Sequence, residues 1–299
     1  MMKLLIAVDS SPSSETVIAD IEARPWPGGT EATVLNVVDI VGPGSGVMDV
    51  GSILEMEREN SGQLVDAAAR RLRSAGLNTR GEVFDGVPRS AIPAYAREWG
   101  ADFIVMGSHG HSGLVRFLLG SVAKSVLRSA PCSVEIVRAR TDEVSMSENE
   151  RAPMVMLATD GSDYSEAAAR SIAQRPWPAR SEFRVVSFAE VPPFCLPPHV
   201  GPDQDGTLDA IREDTIERAE EAVESSRAVL ENVGLATTGA AVAEDPRTGI
   251  LDEATRCGAH LVVLGAHGGA RTDGVAPGRT AETVALHAHC SVEVIRVEC

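Results

Sequence analysis

In the first half of the chain, short runs that are apolar almost throughout alternate with segments in which apolar residues return every three or four positions. KLLIAVD (3–9), EATVLNVVD (31–39), TRGEVFD (79–85), DFIVMGS (102–108) and SVEIVRA (133–139) follow the first pattern and predict β-strands. SETVIADIEA (14–23), the stretch 53–74, RSAIPAYAREW (89–99) and SVAKSVLRS (121–129) follow the second and predict helices. Strands that lack polar alternation are buried on both faces, so their alternation with helices predicts a parallel sheet covered on either side. Pro93 is compatible with this reading, because a proline fits in a first helical turn, where its missing N–H has no partner to lose.

The pattern then occurs a second time. RPWP stands at 24–27 and again at 175–178, and IAVDSSPSSETV (6–17) is answered by LATDGSDYSEAA (157–168), both at an offset of 151. CSVEIVR (132–138) returns as CSVEVIR (290–296) and GSHG (107–110) as GAHG (265–268), now at an offset of 158. The second half therefore carries seven extra residues, expected between about 190 and 240, where VPPFCLPPHVGPDQDG reads as an irregular loop. Its first-half counterpart, IVGPGSGVMDVGS, is equally loop-like, and the polar segment near 139–152 reads as a linker. The expected fold class is α/β: two tandem five-stranded, doubly wound, Rossmann-like domains at 1–140 and 152–299, for which 299 residues are ample.

Doubly wound sheets bind ligands beyond the carboxyl ends of their strands, where the strand order reverses. Asp9, Val38, Asp39 and the loop from Gly107 stand at such ends. In GSHGHSGLVRFLLGS (107–121), two residues separate Gly107 from Gly110 and nine separate Gly110 from Gly120, with Ser121 opening a predicted helix. Glycines there permit close backbone approach and positive φ, and a helix start offers free amides at the positive end of its dipole. Gly107, Gly110, Gly120, Ser121 and Val122 can thus cradle an anion without a lysine; a tight turn with no ligand would use the same glycines. Asp9 can accept two hydrogen bonds from a sugar, or cap the helix that starts in SPSSETV, or do both.

Composition narrows the partners. With 43 acidic and 27 basic residues the net charge is −16, which disfavours nucleic acid and anionic membrane while leaving room for a local amide cradle. The five cysteines (Cys132, Cys195, Cys257, Cys290, Cys299) show no CxxC spacing, which suits a reducing, cytoplasmic setting. The apolar stretch in MMKLLIAVDSS is too short for a signal core, and no later run reaches membrane-spanning length. No GxxxxGK[ST] loop, GxGxxG after the first strand, or GxSxG elbow is present. HAHC (287–290), and Cys195 with His199, offer metal-ligating types, but the aligned RSAPC has no histidine; surface histidines and a buried cysteine are the expectation, with no side-chain metal site. IREDTIERAEEAVESS reads as a solvated helix face laced by spaced Glu and Arg.

VDSS after the first strand, NVVD ending the second, GVP before the third helix, GxxGxxxxxxxxxGS and PCSVEIVR together resemble the universal stress protein family, in its tandem, nucleotide-binding branch. The resemblance runs over nearly the whole chain, twice. It implies a HUP-type fold and ATP with Mg²⁺ as cofactor. It places Asp9 at the ribose or adenine end, the backbone of Val38 at the adenine edge, and Gly107, His109, Gly110, Gly120, Ser121 and Val122 around the phosphates. It also implies an intramolecular pseudo-dimer that meets through CSVEIVR and CSVEVIR. The second half keeps Asp160, Gly265, His267, Gly268 and Gly278, but Arg279 replaces the serine and VAPG replaces FLLG, so a second nucleotide site there is degenerate. Arg279 can bind phosphate, fill the site itself or lie in solvent.

The implied function is an ATP-binding stress-response regulator, with the nucleotide in the N-terminal half and a protein partner of unknown identity. His109 and His111 flank the phosphates, but no base is positioned for water, so at most weak ATPase activity is expected. Two alternatives stay open: an interaction module of the same family without nucleotide, and a slow ATP hydrolase. Further pairing into a homodimer, and the choice among ATP, ADP and AMP, are open as well.

Overall fold

A computed structural model describes residues 1–39, 50–110, 119–139, 153–190, 207–268 and 276–297. The linker at 140–152, the loops at 40–49 and 191–206, His111, Cys195 and His199 lie outside the described residues. The first half runs β1 (Lys3–Ala7), α1 (Pro12–Ala23), β2 (Glu31–Val38), α2 (Val50–Ser74), β3 (Asn78–Asp85), α3 (Pro88–Trp99), β4 (Phe103–Gly107), α4 (Ser121–Ser129) and β5 (Ser133–Val137). The second repeats this as β6 (Met154–Ala158), α5 (Asp163–Ala173), β7 (Glu182–Phe188), α6 (Thr207–Glu231), β8 (Thr237–Val242), α7 (Pro246–Cys257), β9 (Leu261–Gly265), α8 (Arg279–His287) and β10 (Ser291–Ile295).

All ten strands form one sheet in the order β3-β2-β1-β4-β5-β10-β9-β6-β7-β8. Within each half every pairing is parallel, and the strand order reverses between β1 and β4 and again between β6 and β9. Successive strand residues explain the unbroken apolar runs. Leu4 and Ile6 pack with Val17, Ile21 and Leu72 of α1 and α2 on one face, while Leu5 packs with Ile92, Ala96 and Val126 of α3 and α4 on the other. Pro93 is buried inside α3. Among the described residues, no helix is long and apolar enough to cross a membrane.

The halves join where β5 and β10 pair antiparallel, with Glu135 directly opposite Glu293. Both glutamates are buried, and each takes the arginine of an RPWP sequence. Arg24 Nη2 lies 2.7 Å from Glu135 Oε1, and Arg175 forks onto both oxygens of Glu293 at 2.8 and 3.0 Å. The tryptophans close the preceding helices, Trp26 Nε1 donating to the Ile21 carbonyl and Trp177 Nε1 to that of Ile172, each at 2.9 Å. Arg24 and Arg175 stack on these indoles at 5.0 and 5.1 Å. The two repeated sequences are thus one device: RPWP neutralises the buried glutamate of SVE.

The last arginine of each SVE strand crosses to the other half. Arg138 Nη2 donates to the carbonyl of Ala285 in α8 at 2.6 Å, and Arg296 Nη2 to that of Leu127 in α4 at 2.7 Å. A cation at a helix carboxyl end complements its dipole. Burial lowers the Arg138 pKa to about 10, which still leaves it charged at neutral pH.

Candidate functional site

A cavity of about 300 Å³ opens beyond the carboxyl ends of β1 and β4, where the strand order reverses. Asp9, Gly107, His109, Gly110, Gly120, Ser121 and Val122 all line it. Val38 does not: its side chain is buried and its carbonyl accepts from the Gly86 N–H at 3.0 Å. The β2 residues that do reach the cavity are Leu35, Asn36 and Val37. Asn36 is held by donation from its Nδ2 to the Val8 carbonyl at 2.8 Å.

Asp9 is not the cap of α1, whose N-cap is Ser11. Its Oδ1 instead accepts from the Ser11 N–H at 3.0 Å, from the Ser11 hydroxyl and from the Ser14 hydroxyl at 2.9 Å. This local turn commits one oxygen and aims the other at the glycine loop. A Cβ on Gly110 would stand 2.7 Å from Asp9 Oδ2, so close approach is what demands glycine. The expected positive φ is absent, since neither Gly107, Gly110 nor Gly120 is among the left-handed glycines. Gly120 reaches back to the loop by donating its N–H to the Ser108 carbonyl at 2.7 Å.

Gly120 is the N-cap of α4 and has no side chain to offer, so the first-turn amides of Ser121, Val122 and Ala123, which line the cavity, take no side-chain cap from it. His109 adds a second polar group. Its Nδ1 lies 3.0 Å from the Ser108 hydroxyl, while its buried Nε2 has no hydrogen-bond partner among the described residues. Burial, helped by the charge of Arg138, holds the imidazole pKa below its ordinary value. Both effects favour the neutral ring. Among the described residues, no three His, Cys, Asp or Glu side chains group as a metal centre, and in HAHC His287 is exposed while Cys290 is buried.

The second half builds a cavity of about 490 Å³ at the matching place, lined by Asp160, Gly265, His267, Gly268, Gly278 and Arg279. Asp160 repeats the turn, Oδ1 accepting from the Ser162 N–H at 3.1 Å, and a Cβ on Gly268 would meet its Oδ2 at 2.5 Å. Gly278 is again an N-cap without a side chain, here for α8. His267 is buried edge-on against Tyr164, ring centroids 5.0 Å apart, whereas the equivalent of Tyr164 in the first half is Ser13. Arg279 is exposed at the rim.

The cavities also take polar residues from outside the glycine loops. Ser14 and Ser165 repeat at the offset of 151 and line their cavities, a signal present in the repeat; Asn36 corresponds to Ser187 and left no such trace.

The model of the universal stress protein family matches residues 1–138 and again 154–296. The chain belongs to this family. Curated universal stress proteins are similar to single stretches of it. One from Methanocaldococcus jannaschii is 36% identical over 111 residues, covering 36% of this chain and 65% of that protein. A putative one from Staphylococcus epidermidis is 31% identical over 137 residues, covering 45% and 82%. A crystal structure of a universal stress protein from Archaeoglobus fulgidus superposes over 98% of this chain and 96% of its own, with a TM-score of 0.65 at 20% identity, a likeness of fold. A putative universal stress protein from Pseudomonas aeruginosa superposes over 100% and 94%, with a TM-score of 0.58 at 15% identity.

Proposed function

We propose that this universal stress protein binds an adenine nucleotide, ATP with Mg²⁺, in the cavity of its N-terminal half and serves the stress response as a nucleotide-responsive regulator. Family membership supports the stress-response role. The observation that carries the nucleotide reading is the meeting of three features in one cavity: the start of α4 with no side-chain cap from Gly120, the buried Nε2 of His109 with no partner among the described residues, and the carboxylate of Asp9 across Gly110. Amides and an imidazole suit phosphate oxygens, a carboxylate suits ribose hydroxyls, and the apolar wall of Val37 and Ile92 suits a base. Mg²⁺ in this reading is held chiefly by the phosphates. Asp9, with one oxygen already engaged by Ser11 and Ser14, is the one carboxylate among the described lining residues.

Binding is the function in this reading, with turnover incidental. A neutral His109 of lowered pKa is a weak base, and no described carboxylate besides Asp9 lines the cavity. The decisive experiment denatures the purified chain, identifies released nucleotide, and titrates Mg²⁺-ATP into wild type, Gly110→Val and Ser121→Arg. One nucleotide per chain in wild type, weakened at least tenfold in both variants, is the expected result. No binding by wild type would sink the reading in favour of an interaction module, and turnover at ordinary ATPase rates would overturn the binding-only claim.

A further inference from the structure

The two cavities share their glycine loops, their aspartates and the α3 or α7 wall, where Pro246 and Ile250 repeat Pro88 and Ile92. They differ on the strand side. The first cavity touches three successive β2 residues, Leu35, Asn36 and Val37, whereas the second touches β7 through Phe188 alone. Phe188 stands at the position of Val37, and the facing helix carries Gly249 at the position of Ala91. The pair is interlocked: a Cβ on Gly249 would collide with Cδ1 and Cε1 of the Phe188 ring. The ring therefore lies against α7 in the cavity wall, and the β7 positions corresponding to Leu35 and Asn36 do not line this cavity.

The register makes the exchange plain. Val37 is opposite Phe84 on β3, while Phe188 is opposite Val242 on β8, so the aromatic has moved one strand inward. In the first half Phe84 lies on the outer strand, 43% exposed and edge-on to Tyr95, clear of the cavity. In the second, the aromatic is part of the cavity wall.

We propose that Phe188, seated on Gly249, is the specificity-determining residue that keeps adenine out of the second cavity. The inference rests on the reading that the first cavity takes an adenine nucleotide. A purine is positioned by an apolar slot and by hydrogen bonds along its edge. In the second cavity the ring of Phe188 takes the place of the slot, and no other β7 residue reaches the cavity to read the edge. The greater volume of the second cavity, about 490 Å³ against about 300 Å³, does not restore them, because size without the strand edge gives room but no recognition. Arg279 is then secondary.

The test uses the full chain and Mg²⁺-ATP in equilibrium dialysis, with Gly110→Val as a background that disables the first cavity. Phe188→Val with Gly249→Ala, combined with Arg279→Ser, is expected to create binding at least tenfold tighter than Arg279→Ser alone in that background. The reverse exchange, Val37→Phe with Ala91→Gly in the otherwise wild-type chain, is expected to weaken first-site binding at least tenfold while near-ultraviolet circular dichroism stays native. The inference is overturned if Arg279→Ser alone matches the full second-half exchange, or if the folded Val37→Phe/Ala91→Gly chain binds like wild type. A wild type that binds nothing would defeat the proposed function, and the gain or lack of gain in the second half would then decide this inference by itself.

Discussion

The two halves agree where they meet and diverge where they open. At the seam, Arg24 with Glu135 and Arg175 with Glu293 repeat each other, as do the arginines that cross to the opposite helix ends. In the cavities, Ser121 becomes Arg279, Val37 becomes Phe188 and Ser13 becomes Tyr164. Losing one member of a buried Arg–Glu pair strands the other, which favours keeping each pair intact in both copies. A cavity wall can be rebuilt in one half without disturbing the other, which leaves the two cavities free to specialise.

Breaking the seam should have the largest effect. Arg175→Met leaves Glu293 buried without its forked partner, and should cost about 3 to 5 kcal/mol in denaturant unfolding, as expected for one half of a buried ion pair. Because both apolar clusters run through the two halves, the loss should appear as a shift of the whole transition. A loss below about 1 kcal/mol would mean that β5 and β10 hold together without the pair.

The cavities should respond unequally to the same lesion. Gly110→Val forces a side chain against Asp9 Oδ2, and nucleotide affinity should fall at least tenfold, about 1.4 kcal/mol or more. Gly268→Val makes the same collision with Asp160 and should leave nucleotide stoichiometry at one. Equal losses from the two would erase the distinction between the halves.

The seam contains one asymmetry that pH can expose. Asp20 lies 2.6 Å from Arg24, and its counterpart in the second half is Ser171. Burial, with a contribution from the Glu135 charge and against that of Arg24, raises the Asp20 pKa to about 6 from an ordinary 3.8. A carboxyl raised on folding stabilises the protein while protonated, so this contribution is present in full below pH 3.8 and is lost as pH rises through 6. Asp20→Ser should therefore flatten the stability profile between about pH 4 and 6 and raise stability at neutral pH by roughly 1 kcal/mol, the side chain's partial exposure reducing the effect. Thermal melts across that range would read it, and an unchanged profile would place the titration elsewhere in the seam. The smallest effect belongs to Arg279→Ser alone, which should leave occupancy at one per chain because Phe188 remains.

Much of this was legible in the sequence. The strands were readable because Leu4, Leu5 and Ile6 are apolar in succession, the mark of a strand buried on both faces. The glycine loop is readable because Gly110 and Gly120 keep their spacing in the second copy as Gly268 and Gly278. The sequence leaves open whether Asp9 caps α1, since the choice between Asp9 and Ser11 as cap depends on backbone angles that neither identity reveals. That Leu35, Asn36 and Val37 line the cavity and Val38 does not is outside the reach of the sequence, because the register that commits the Val38 carbonyl to Gly86 is a property of the sheet.

The fold class, the tandem repeat and the position of both glycine loops follow from local periodicity and internal similarity along the chain. Three pairings arise instead from the packing of the folded chain: RPWP with the glutamate of SVE, Arg138 with the end of a helix in the other half, and Phe188 with Gly249. Each joins residues from about 60 to 150 positions apart, and their chemistry arises from burial and close approach, which no stretch of chain carries alone.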